Sequence, residues 1–245
     1  MPQDLDFGFP WVPSAHDSGE IYVKAAPTNG VDEAYGATLD VGGLWRLGAN
    51  TIYYPVCNST NGSIVAATAG SFEMAATAAI SGNSLGWAKG YIRNRTDYFK
   101  KPVQPGTGTG SVSGYGLPGG GVVRIDVRGN MVLDGTISAN GEAAYSWHYG
   151  KLPSPGGSVY LSCDGRLSGT GTVKANGGNA VESADKGANA GRIAIYYRML
   201  ADDADITAVS NGGSYRNETE RSSKWGADYE PYWRQWHKGL MLFVR

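Results

Sequence analysis

Apolar and polar residues alternate along neighbouring stretches of the chain that closely resemble one another. Residues 121–141 read GVVRIDVRGNMVLDGTISANG, and residues 157–177 read GSVYLSCDGRLSGTGTVKANG. A third version, GRIAIYYRMLADDADITAVSNG, occupies residues 191–212. Alternation with a period of two residues predicts β-strands that turn their apolar side chains to one face. A unit that recurs at a nearly constant interval predicts repeats that stack in register, because one unit cannot bury a core alone.

Shorter matches extend the pattern on both sides. Residues 62–70, GSIVAATAG, match the start of the second copy, and residues 239–245, GLMLFVR, resemble a further strand start. Residues 37–54 indicate two short strands interrupted by glycines. Residues 72–80, FEMAATAAI, carry alanines that suit a helix, but their place behind a matched strand favours β-structure. We therefore predict an all-β chain.

Each of the three main copies ends in Asn-Gly, at Asn140, Asn176 and Asn211. Both residue types tolerate the left-handed conformation that a tight corner can require, and stacked asparagines can also hydrogen-bond along the stack. Segments of different length follow these corners, at residues 142–155, 178–190 and 213–238. Because all three leave the repeat at the same point, we expect them to gather along one edge and to carry function there. The long irregular stretch 85–120 is predicted to be a functional loop or a protective flap.

Composition narrows the classes of partner and compartment. Glycine accounts for 37 of 245 residues, which fits short strands joined by tight turns. The formal net charge of −1 gives no excess of positive charge that would attract nucleic acid, so nucleic acid is not an expected partner. No apolar run approaches the roughly 20 residues of a membrane-spanning helix, so membrane insertion is not expected. Few lysines and glutamates, together with many Gly, Asn, Tyr and Trp residues, indicate a secreted protein. Of the two cysteines, Cys163 falls on an inward strand position and is predicted to be a buried thiol.

Aromatic residues concentrate in two of the corner segments. Flat aromatic faces stack on sugar rings while nearby charged groups bind hydroxyls, so these residues are candidates for a glycan-binding platform. Three alternatives stand for the longer cluster, residues 225–237: a cap that packs on the core, which we favour, a glycan platform, or a protein contact. His148 is more often structural than an acid or base in such a setting. The candidate ligand-binding residues are Trp147, His148, Tyr149, Trp225, Tyr229, Tyr232, Trp233 and Trp236.

Metal and catalytic motifs are weak. Asp202, Asp203 and Asp205 form the only acidic cluster, and extracellular repeats can bind calcium through such residues. Their spacing lacks a regular Gly-x-Asp pattern, so a solvated turn is favoured, and no cofactor is expected. Nucleophile elbows, phosphate-binding loops and zinc spacings are absent from the sequence. Whether the protein is an enzyme is therefore left open.

The repeat G-G-x-V-x-I/L-x-x-x-G-x-L/M-x-G-x-I/V-x-A-N-G, with GRIAIYY at its last copy, resembles the glycine-rich right-handed parallel β-helix repeat of secreted and surface proteins of Planctomycetes and Lentisphaerae. The resemblance covers residues 119–213 well and residues 62–82 moderately. It implies a right-handed parallel β-helix, and the wider class of β-helices implies glycans as the ligand. No catalytic constellation of that class transfers to numbered positions in this chain.

These observations predict one all-β domain, a right-handed parallel β-helix (β-solenoid) with corner insertions, over residues 1–245. Residues 1–60 would form an N-terminal cap and an irregular first repeat, residues 61–213 the regular repeats, and residues 214–245 an aromatic insertion and a terminal strand. The expected function is extracellular polysaccharide binding, with a role ancillary to glycan degradation as one form of it. The module would belong to a longer protein whose other domains are further partners. The alternatives are a structural or adhesive surface spacer without a ligand, and a polysaccharide lyase or glycoside hydrolase.

Overall fold

The computed structural model describes residues 5–6, 19–22, 37–54, 64–86, 102, 105–108, 117–144, 152–180, 187–214 and 228–235. All regular secondary structure in these ranges is β-strand, which confirms the predicted all-β class. The strands are β1 (Leu5–Asp6), β2 (Gly19–Tyr22), β3 (Ala37–Leu47), β4 (Thr51–Tyr54), β5 (Ile64–Met74), β6 (Ala79–Ser81), β7 (Val122–Val127), β8 (Met131–Leu133), β9 (Thr136–Ser138), β10 (Ser158–Ser168), β11 (Thr172–Lys174), β12 (Arg192–Leu200), β13 (Thr207–Val209) and β14 (Tyr232–Gln235).

The strands form two sheets in which every described pairing is parallel. The main sheet has the order β1-β3-β5-β7-β10-β12-β14, and β8 pairs with both β5 and β10. The second sheet has the order β13-β11-β9-β6-β4-β2. The short strands of the second sheet alternate along the chain with those of the main sheet.

The prediction of a right-handed parallel β-helix is wrong, as the strand pairing within the main sheet shows. Both β5 and β10 pair with β7 and also with β8, so these four strands form a closed parallel ring, and the second sheet is separate from it. The physical reason lies in strand length. Strands β5 and β10 run unbroken for 11 residues each, whereas the equivalent stretch between them is divided into β7 and β8. Repeat spacing predicts that units stack, but it carries no information on which strands continue through a bend.

Register within the main sheet follows the alignment of the copies. Val123 pairs with Val159, which pairs with Ile193, and Ile125, Leu161 and Ile195 follow in the same way. These apolar side chains are at most 2% exposed and belong to one core cluster. Burying a side chain of this size stabilises the fold by about 1.5–3 kcal/mol. The predicted alternation and register are therefore confirmed.

Two expectations about individual strands have different outcomes. Residues 72–80 contribute to β5 and β6, as predicted, and Phe72 packs against Trp45 with ring centroids 4.8 Å apart. The predicted break at Gly42-Gly43 is wrong, because β3 continues through it with a shift of register between Val41 and Leu44.

The last described strand lies in the aromatic segment. Strand β14 pairs with β12, where Ala194 faces Tyr232 and Ile195 faces Trp233. The strand start predicted at Gly239 lies outside the described residues.

Asparagine side chains link successive corners. The backbone N–H of Asn140 donates to Asn83 Oδ1 (2.8 Å), that of Asn176 to Asn140 Oδ1 (2.7 Å), and that of Asn211 to Asn176 Oδ1 (3.0 Å). The predicted stacking of asparagines is confirmed, and we call this series the asparagine ladder. The expectation of a left-handed conformation at these corners is wrong. Within the described ranges, the non-glycine residues with positive φ are Asn50 and Ser84, and neither is one of the three corner asparagines. Asn140 and Asn176 act instead through their side-chain oxygens, which accept backbone N–H groups of the next corner.

Candidate ligand-binding face

Strand β14 separates the predicted aromatic cluster onto two faces. Trp233 continues the inward row of Ile125, Leu161 and Ile195, and its indole makes an edge contact with Tyr197 at 6.4 Å between centroids. It is 37% exposed at the end of the core. This is the position that the cap interpretation expects of Trp233.

Tyr232 lies on the opposite, outward face. Its ring centroid is 5.7 Å from that of Tyr196, which in turn is 5.5 Å from that of Tyr160. Tyr160 and Tyr196 are only 5% and 4% exposed, although their strand positions point away from the core, whereas Tyr232 is half-buried. We call these three residues the tyrosine row. Each buried ring supports the next, so the orientation of Tyr232 is set by β10 and β12.

Burial determines the ionisation of the two inner phenols. It raises the pKa of Tyr160, and the negative charge of Asp126 adds to this rise. Burial likewise raises the pKa of Tyr196, with smaller contributions from Tyr232 and Tyr160. Both hydroxyls therefore stay protonated at neutral pH, where they can donate hydrogen bonds but are poor general bases.

A charged pair lies at the start of the tyrosine row. Arg124 Nε and Asp126 Oδ2 are 2.6 Å apart, and both side chains are partly exposed. The Arg124 guanidinium also lies 5.1 Å from the centre of the Tyr160 ring. This cation–π contact, typically about 0.5–2 kcal/mol, helps to hold Tyr160 in place.

Tyr229 is anchored on the same outward face as Tyr232. Its N–H donates to the carbonyl of Ser210 at 3.0 Å, and its ring lies 4.7 Å from the guanidinium of Arg192. Arg192 and Ala194 both lie on the outward side of β12, because Ile193 between them belongs to the core. Tyr229 and Tyr232 are thus two half-buried rings on one surface. Each contacts a side chain of β12, Arg192 for Tyr229 and Tyr196 for Tyr232.

Charged residues lie close to these two rings along the chain and in the register of β12 and β14. Glu230, Arg234 and Arg198 are exposed, and Asp228 is exposed while its Oδ1 accepts the N–H of Gly212 at 2.5 Å. Within the described residues, Arg198 and Arg234 take part in no ion pair, unlike Arg124. We call Tyr229, Tyr232, Arg198, Glu230 and Arg234 the outer face.

Five predicted ligand-binding residues lie outside the described ranges: Trp147, His148, Tyr149, Trp225 and Trp236. The first residues of the three corner segments are described, and they hydrogen-bond to one another. The N–H of Ala144 donates to Asn179 O (3.0 Å) and that of Ala180 to Ser214 O (2.9 Å). Ala144 and Ala180 also share a small buried cluster with Leu117. The corner segments therefore begin along one edge, as expected.

The acidic cluster does not form a metal centre. Asp202, Asp203 and Asp205 are exposed, and no group of three or more His, Cys, Asp or Glu residues within the described ranges could hold a metal ion. Cys163 is a buried thiol, as predicted, and burial raises its pKa. The described part of the chain contains no helix long and apolar enough to cross a membrane.

Sequence reasoning missed Tyr160, Tyr196, Arg124 and Arg192 as parts of this surface. A signal was present for the tyrosines, because each occupies an outward position of a strand where the alternation calls for a polar residue. Arg192 gave no such signal, since its contact with Tyr229 depends on the path of a segment far along the chain. No protein family, curated protein or solved structure matches this chain.

Proposed function

We propose that this chain is an extracellular module that binds polysaccharide on its outer face. The observation that carries the proposal is the pair of half-buried rings, Tyr229 and Tyr232, held on one surface by Arg192 and Tyr196. Two aromatic faces presented together give a polysaccharide two stacking positions instead of one.

Two kinds of side chain on the outer face support this proposal. The apolar face of a pyranose ring packs on an aromatic ring, while its hydroxyls bind charged or amide groups nearby. Backing by Arg192 and Tyr196 restricts the two rings before a ligand arrives, so less conformational entropy is lost on binding.

Two exposed arginines that form no ion pair within the described ranges favour an acidic polysaccharide. Arg234 pairs in register with Tyr196, and Arg198 lies two residues beyond Tyr196 on the same strand, so both arginines occupy strand positions close to Tyr196, which packs against Tyr232. A guanidinium that has no carboxylate partner can bind a carboxylate or sulfate in a bidentate manner. We therefore expect uronate or sulfated polymers to bind better than neutral ones.

Affinity electrophoresis through gels that contain neutral, uronate or sulfated polysaccharides tests this function. Replacing Tyr229 or Tyr232 by alanine should each weaken binding by about tenfold, which corresponds to about 1.4 kcal/mol. Leu152→Ala is the matched control, because Leu152 is an exposed apolar residue (49%) outside the outer face. Arg234→Gln should reduce retardation by acidic polymers and leave any neutral binding unchanged.

Two outcomes would replace the proposal. Migration that no polysaccharide retards, in the wild-type protein and in the tyrosine variants alike, would leave the structural or adhesive spacer as the better function. Release of unsaturated or reducing ends from any of the polymers would instead favour a lyase or hydrolase.

A further inference from the structure

Three Asn-Gly pairs occupy equivalent corners, but the glycine of the third is held differently. In the first two, the glycine N–H donates to the backbone carbonyl of the next corner. These bonds run from Gly141 to Asn176 O and from Gly177 to Asn211 O, each 2.9 Å. The N–H of Gly212 donates instead to Oδ1 of Asp228, an exposed side chain.

The side chain of the third asparagine is likewise held less firmly than those of the first two. Oδ1 of Asn140 and Oδ1 of Asn176 each accept the N–H of the next asparagine in the asparagine ladder. Asn211 is exposed, and its Oδ1 accepts no hydrogen bond from the part of the chain that the structure describes. Its amide can therefore rotate, whereas the other two are held.

The side-chain amide of Asn211 and the backbone nitrogen of Gly212 are the two groups that react when an Asn-Gly pair deamidates. In an Asn-Gly pair, the glycine nitrogen loses its proton and attacks the asparagine Cγ, where a new C–N bond forms and ammonia leaves. The succinimide then takes up water and opens at one of its two C–N bonds, which yields aspartate or isoaspartate. Glycine permits this approach because it has no Cβ and a permissive backbone. The attack needs both a glycine N–H released from its acceptor and a free asparagine amide.

We propose that Asn211 is a site of spontaneous deamidation, and that Asn140 and Asn176 are protected from the same reaction by the asparagine ladder. The product changes the outer face. An isoaspartate adds a methylene to the backbone and moves the Gly212 N–H away from Asp228, while the new carboxylate repels that of Asp228. Because Tyr229 follows Asp228 directly, the modification loosens the anchor of this ring.

Peptide mapping by mass spectrometry during incubation of the full chain at mildly alkaline pH tests the proposal. In the folded protein, Asn211 should convert at least about tenfold faster than Asn140 and Asn176, since the latter must first break two hydrogen bonds. In urea-unfolded protein, the three rates should become similar. Equal rates in the folded protein, or a faster rate at Asn140 or Asn176, would overturn the proposal.

A pair of variants tests the role of Asp228. Asp228→Ala removes the acceptor of the Gly212 N–H and should raise the rate at Asn211 several-fold, whereas Glu230→Ala removes a neighbouring exposed carboxylate and should not. Equal effects of the two variants on Asn211 would contradict the proposed protection. Asn29 and Asn61, which also precede glycine but lie outside the described residues, are read from their own peptides.

Discussion

Replacing Asn140 by alanine removes the side-chain oxygen that accepts the backbone N–H of Asn176 at 2.7 Å. This N–H is partly buried, so water replaces the lost acceptor only incompletely. An unsatisfied buried donor costs about 1–3 kcal/mol, and for a partly buried one we expect a loss of about 1–2 kcal/mol in the free energy of unfolding. For a chain of this size, each kcal/mol lowers the Tm by about 2–4 °C.

The asparagine ladder provides a graded series of controls for this prediction. Asn176→Ala removes the acceptor of an exposed N–H, so water compensates better and the expected loss is about 0.5–1 kcal/mol. Asn211→Ala removes no acceptor among the described residues and should change stability by less than about 0.5 kcal/mol. Asn140→Asp retains an oxygen in the same place and should restore most of the wild-type stability.

Urea unfolding measures the four variants, and hydrogen exchange at the amide of Asn176 reports the local bond directly. In Asn140→Ala this amide should exchange faster than in the wild type, while amides in the centre of β10 follow global stability alone. A loss of stability in Asn140→Ala equal to that in Asn211→Ala would refute the reasoning, because the two substitutions differ mainly in the bond they remove.

Further predictions concern Trp233 at the end of the core, two glycines that lie against neighbouring backbone, and the tyrosine row. Trp233→Ala should cost about 2 kcal/mol in urea unfolding, since the indole covers the core but is partly exposed, and polysaccharide retardation of the folded variant should persist. Gly157→Ala should cost more than about 3 kcal/mol or prevent folding, because its Cβ would overlap the Gly121 carbonyl; Gly82→Ala, with its nearest contact at 3.2 Å, should be milder in the same assay. The raised pKa values of Tyr160 and Tyr196 predict stability that is complete below the unfolded tyrosine pKa of about 10 and is lost as pH rises through the folded values. Unfolding measured at increasing alkaline pH should show this loss of stability. An equally steep loss in a variant with phenylalanine at both positions would contradict the prediction.

The sequence predicted the register of the main sheet because register depends on local alternation. Val123, Val159 and Ile193 occupy the same position in three copies, and a slip of one residue would expose each of them. The continuity of β5 and β10 could not be predicted in this way, because it depends on how the backbone passes a bend. A glycine lies at this bend within both long strands, at Gly70 and Gly165, and also between β7 and β8, at Gly129.

The candidate site shows a similar limit. The aromatic segment was identified from its composition, but the pattern did not reveal that Tyr232 and Trp233 belong to a strand and therefore point to opposite faces. Where the chain returns to the sheet depends on the length and path of the preceding segment. The partner of Tyr229, Arg192, is likewise determined by that path and not by local sequence.

The order of the main sheet has a mechanical consequence. Strands β1 and β14 lie at opposite ends of it, and the hydrogen bonds between parallel strands run in the direction from one strand to the next. Tension applied between these two strands would therefore load the bonds along their length and break them a few at a time, rather than shear many together. The fold should yield strand by strand at low force, so its resistance to pulling should be small compared with its resistance to heat or denaturant.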